Sequence, residues 1–66
     1  MQVIVNGEAR QLVDGITVRQ LLEELQIPVT RVAVELNMAI VPKAGYGDKA
    51  IQDGDKIEIV HFVGGG

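Results

Sequence analysis

With 66 residues the chain makes one small domain, which at this size buries only about 60% of the surface its unfolded form exposes, so an enzyme-sized cleft would consume most of the core. Hydrophobic residues are 47% and charged residues 23% of the chain, a globular composition; no apolar run nears the roughly 20 residues of a membrane span and no leader pattern opens the chain, so the expected place is the cytoplasm, away from any membrane. Cysteine is absent, which removes disulfides, a zinc cluster and a thiol nucleophile, and a net charge of −3 with scattered basic residues, one Tyr and one Phe leaves no stripe or stacking surface for nucleic acid.

Met1, Val3 and Val5 alternate with Gln2, Ile4 and Asn6, the period-2 pattern of a strand with one buried face. Asn6-Gly7 then predicts a type I′ hairpin turn, since both residue types accept positive φ. A return strand from about Glu8 to Val13 is closed by Asp14-Gly15. Thr17-Val18-Arg19-Gln20 fits the capping box that opens a helix. Val18, Leu21, Leu22 and Leu25 follow at helical spacing, with Arg19, Glu23 and Glu24 on the other face, and Pro28 is the expected stop after about ten residues. So short a helix is marginal alone and needs a sheet to cover.

Val32, Val34 and Leu36 predict a third strand, and Ala39 to Pro42 its short partner across Asn37-Met38. Lys43 to Lys49 reads as a loop, and Asp53-Gly54-Asp55 as the turn launching a last strand, Lys56 to Val63. The simplest closed arrangement is an α+β domain: a mixed four- to five-stranded sheet with one main helix packed on one face.

The last strand runs directly into Gly64-Gly65-Gly66. Without a Cβ, glycine lets a main chain enter a slot too narrow for side chains, and at about 3.3 to 3.6 Å per extended residue the three reach roughly 10 Å. Two readings follow from composition. The carboxylate of Gly66 is the working group, presented to another enzyme, or the glycines are a frayed end, as termini commonly are.

The element order resembles the β-grasp, or ubiquitin-like, fold, and the segment from Gln52 through His61-Phe62-Val63-Gly64-Gly65-Gly66 resembles the C-terminal signature of the thiamine-biosynthesis sulfur carrier family. The resemblance spans the whole chain and is most specific in those last fifteen residues. It implies residues 1–63 as a β-grasp domain and 64–66 as a flexible tail. It further implies a protein co-substrate and not an enzyme: an adenylating enzyme of the ubiquitin-activating type uses ATP to activate Gly66, which becomes a glycyl adenylate and then a thiocarboxylate. Sulfur then passes to thiazole synthase, with a cysteine desulfurase as the indirect source. Gly64 and Gly65 would form the passage into both partners, and this chain itself would bind no cofactor. One departure stands out. The family commonly has Asn-Gly after the third strand where this chain has Asn37-Met38, and methionine tolerates positive φ poorly; Met38 is either an exposed apolar contact or a packed loop residue.

If Ile57 and Ile59 face the helix, alternation sends Val60 and Phe62 to the opposite face, where with Ile4 and the adjoining Val63 they form a candidate docking surface; burial by sheet twist or by the loop after Pro42 is the other reading. His61 has no nucleophile to activate and reads as a strand residue near that surface. Asp48, Asp53, Asp55 and Glu58 lack the spacing of a calcium loop and read as turn chemistry, so no metal is expected. Two other functions fit this fold: a sulfur carrier of the molybdopterin-synthase small-subunit type, and a non-covalent β-grasp adaptor whose tail is idle. A catalyst is the weakest reading, for want of an acid–base or nucleophile pair.

Overall fold

The computed structural model describes residues 1–62. The expected β-grasp architecture is present, with five strands: β1 (Gln2–Val5), β2 (Glu8–Gln11), β3 (Val32–Leu36), β4 (Ala39–Val41) and β5 (Lys56–His61), in the order β2-β1-β5-β3-β4. The central pair β1 and β5 is parallel, and every other pairing is antiparallel. One helix, α1 (Val18–Glu24), covers one face. Among the described residues no helix is long and apolar enough to cross a membrane.

Strand alternation carries the packing. Val3 and Val5 of β1, Val32, Val34 and Leu36 of β3, and Ile57 and Ile59 of β5 point to the helix and are buried with Val18, Leu21 and Leu22 of α1. Asn6 and Gly7 both have positive φ, at 49° and 84°, as a type I′ turn requires. The turn between β3 and β4 is of the same kind despite its sequence: φ is 52° at Asn37 and 72° at Met38. Methionine therefore holds a left-handed conformation that disfavours a Cβ, and it does so at 89% exposure, which excludes the packed-loop alternative.

The helix start matches the capping box, with the Gln20 amide donating to Thr17 Oγ1 (3.2 Å) and the Thr17 amide to Gln20 Oε1 (2.9 Å). The two remaining first-turn donors go to the loop expected to be irregular. The Val18 amide donates to the carbonyl of Lys49 and that of Arg19 to the carbonyl of Tyr46, each at 2.9 Å. This is why the 43–49 segment is ordered: a 3₁₀ turn (Lys43–Gly45) leads into Tyr46, which is buried in the core, and its carbonyls satisfy donors that any helix leaves open.

The helix ends earlier than expected, and Pro28 does not end it. Gln26 takes a left-handed φ of 59°, the Ile27 amide donates to the Leu22 carbonyl (2.9 Å) and the Gln26 amide to the Glu23 carbonyl (3.0 Å). That bond pattern is a Schellman motif with glutamine where glycine is usual. Its hydrophobic closure is Ile27 packed on the core, and a second 3₁₀ turn (Val29–Arg31) leads from Pro28 into β3. The return strand is also shorter than expected, ending at Gln11, with buried Leu12 turning in towards the core.

Candidate functional site

The strand that leads to the glycines, β5, lies at the centre of the sheet with β1 on one side and β3 on the other. Two asparagine side chains bind it to its neighbours. β1 pairs with β5 only at Ile4 and Val5, and the Asn6 amide then donates to the Ile57 carbonyl (2.9 Å). Beyond that point the chain turns away, and the side-chain amide of Asn6 stands in for a missing peptide unit. The Ile59 amide donates to Asn6 Oδ1 (2.7 Å), and Asn6 Nδ2 donates to the Ile59 carbonyl (3.3 Å).

At the other end of β5 the Lys56 amide donates to Asn37 Oδ1 (2.9 Å), the Asn37 amide to the Lys56 carbonyl (2.8 Å), and Asn37 Nδ2 to Asp55 Oδ1 (2.9 Å). Asp55 Oδ2 also accepts from the Gln52 amide (2.8 Å), and Asp53 Oδ1 from the Gln2 amide (2.8 Å). These carboxylates are turn builders, as their spacing suggested. Among the described residues no group of three or more His, Asp or Glu is arranged to hold a metal ion.

Asn6→Ala removes both side-chain bonds to Ile59 and places alanine at positive φ. The expected loss is about 2–3 kcal/mol, one to two unmet hydrogen bonds plus the backbone term. Thermal unfolding measures it, and hydrogen exchange at Ile59 should rise more than at Val3.

The expected docking residues fall on the sheet face opposite the helix. Val60 is 52%, Phe62 57% and Ile4 38% exposed, so neither twist nor the loop after Pro42 buries them. They are not one continuous strip. Ile4 is opposite Lys56, four positions from Val60 along β5, and Glu58 lies between. The Phe62 amide donates to the Arg31 carbonyl (2.9 Å), and Lys43 Nζ is 5.2 Å from the centre of the Phe62 ring, within cation–π range. His61 pairs with Val32 and is exposed at the end of β5. Val63, Gly64, Gly65 and Gly66 lie outside the described residues.

Two parts of this site had no local signal in the sequence. Asn6 and Asn37 were legible as turn residues, yet their bonds to β5 join positions 53 and 19 apart. The facing of Glu35 and Glu58 depends on the register between β3 and β5.

A model of the ThiS family matches residues 3–66. Along its whole length the chain is 36% identical to the sulfur carrier protein ThiS of Escherichia coli, all of which it covers. It is 50% identical over 66 residues to part of a thiazole synthase of Paramagnetospirillum magneticum, spanning 20% of that protein's length. The crystal structure of the thiamine biosynthesis protein ThiS from Geobacter metallireducens superposes with a TM-score of 0.87 at 30% identity, each chain covered in full.

Proposed function

The chain belongs to the ThiS family, the sulfur carriers of thiamine biosynthesis, and on that premise we propose that the carboxylate of Gly66 is the group that bears the sulfur. The observation that carries this reading is a family match running through Gly64, Gly65 and Gly66 in a chain without cysteine. Lacking a thiol, the chain cannot hold sulfur as its own persulfide, and the carboxylate becomes the attachment point.

A free carboxylate is a poor acyl electrophile. One carboxylate oxygen attacks the α-phosphate of ATP on an adenylating partner, pyrophosphate leaves, and the acyl adenylate forms. A cysteine desulfurase delivers the sulfur as a persulfide, a thiol reductant takes it to the sulfide level and is itself oxidised to a disulfide, and the sulfur adds to the acyl carbon. AMP departs with the original oxygen, leaving a thiocarboxylate. Thiazole synthase takes the sulfur, and the carboxylate returns for another cycle. The ThiS-like segment within thiazole synthases supports that enzyme as the acceptor.

In this cycle the chain acts as a co-substrate whose own part is positional. Asn6 and Asn37 pin β5, the strand that precedes the glycines in the sequence, and the exposed Ile4, Val60 and Phe62, with Val63, dock the domain on its partners. Gly64 and Gly65 thread the narrow approach to each active centre.

Intact-mass measurement after incubation with ATP, the cognate adenylating enzyme, a cysteine desulfurase and cysteine tests the reading. The expected result is the mass gain of one sulfur replacing one oxygen, localised by fragmentation to Gly66. An unchanged mass, with the same partners active on another carrier, would make the glycines idle and favour a non-covalent adaptor.

A further inference from the structure

The sheet face turned away from α1 has an unusual centre. Glu35 of β3 and Glu58 of β5 are directly opposed in the antiparallel register, and both point away from the helix, because their neighbours Val34, Leu36, Ile57 and Ile59 are the buried set. Opposed residues of an antiparallel pair have Cβ atoms only about 4.5–5.5 Å apart, and like charges there destabilise the sheet. Among the described residues the ion pairs are Arg19 with Glu23 and the Met1 amine with Asp14, so neither central carboxylate is neutralised within the domain.

Apolar side chains flank the carboxylates. Ile40, opposite Glu35 on β4, is 74% exposed; Ala33 and Val60 pair one step nearer the end of β5, with Phe62 beyond; Ile4 lies on the β1 side. Lys56 lies on the same face two residues from Glu58, and Lys43 sits over Phe62, yet neither makes an ion pair with the two carboxylates, so the middle of the face keeps a net negative charge. Such a face is unsuited to a second copy of itself centred on the same point, which would oppose acid with acid. It is equally unsuited to a phosphate-rich membrane or nucleic acid.

We propose that this face docks on a protein surface that presents an arginine guanidinium between Glu35 and Glu58, with apolar contacts on Val60, Phe62 and Ile40. A planar guanidinium bridges two carboxylates at this spacing better than a lysine ammonium, because its donors lie in a fixed fork. Binding then removes a repulsion that the isolated domain carries. The inference rests on the proposed sulfur transfer for the identity of the partner, taken as the thiazole synthase that receives the thiocarboxylate.

The test is titration of the cognate thiazole synthase with the wild-type chain and with the double variant E35Q/E58Q, at low and high salt, alongside the thermal midpoints of the two chains. The double variant should bind roughly tenfold to a hundredfold more weakly, as loss of close interfacial charge pairs does, and its affinity should lose most of its salt dependence. Its midpoint should equal or exceed the wild-type value, since the repulsion is gone. Wild-type binding with an unchanged double variant overturns the arginine contact alone. Absence of wild-type binding overturns the choice of partner beneath it, and the mass of the Gly66 product reports on sulfur loading separately.

Discussion

A chain lacking Gly65 and Gly66 is expected to fold as the full chain does and to take up no sulfur. The two halves of that expectation have separate physical grounds. Among the described residues every member of the buried core lies at or before Ile59, so the deletion leaves all of those core side chains in the chain. Its thermal midpoint should stay within a few degrees of the full chain's, as surface changes away from the core do.

Chemically the shortened chain still ends in a glycine carboxylate, now on Gly64, so loss of loading cannot come from the nature of the group. It comes from reach. Two extended residues span about 7 Å, whereas acyl activation requires the reacting atoms within roughly 3–3.5 Å, and a misplacement of 1 Å alone can lower a rate about a hundredfold. On the proposed docking through its sheet face, the domain cannot shift 7 Å inward to compensate. Deleting Gly66 alone should already lower loading more than a hundredfold by the same reasoning. Adenylate formation followed by pyrophosphate release, with intact mass as the second readout, measures both. A truncated chain loaded at the full rate would mean that the glycines do no positioning.

The parts of this molecule that were legible in the sequence are those governed by neighbours a few positions apart. Alternation in Met1 to Val5 and in Val32 to Leu36, the turn at Asn6-Gly7 and the capping box from Thr17 to Gln20 all appear where local rules put them. The misplaced features are ones where tertiary contacts overrode a local preference. Gln26 adopts a glycine-like angle because Ile27 gains a place on the core, and no glycine announces it. Tyr46 is buried inside a stretch rich in glycine and lysine because the open end of α1 needs the carbonyls of that stretch. Met38 keeps the turn that asparagine-glycine would favour because Asn37 is tied to Lys56 and Asp55. The candidate site divides in the same way: the glycines are plain in composition, while the pinning of β5 and the opposed Glu35 and Glu58 exist only once the strands are paired.

The second large effect concerns α1. Leu21→Ala is expected to lower stability by about 3 kcal/mol, within the range measured for truncating a buried leucine. Leu21 has no exposed surface and is among the largest fully buried side chains of the core, so alanine leaves a cavity that the sheet beneath cannot fill. At about 0.05–0.15 kcal/mol per residue, a domain this small has a total stability of roughly 3–10 kcal/mol, and the substitution removes a third of it or more. A shift of about 4–8 °C per kcal/mol for domains of this size places the midpoint some 10–25 °C lower. Arg19→Ala on the exposed side of the same helix is the control: its ion pair with Glu23 is solvent-exposed at 3.7 Å, and such pairs contribute well under about 1 kcal/mol. Because α1 has only seven residues and is too short to stand alone, loss of its packing should release the helix and its covering of Ile57 and Ile59 together, in one transition. Sulfur loading by this variant should fall with the folded fraction as temperature rises and stay near the wild-type rate below the transition. A rate already depressed in the cold would mean that Leu21 shapes the direction of β5 as well as its stability.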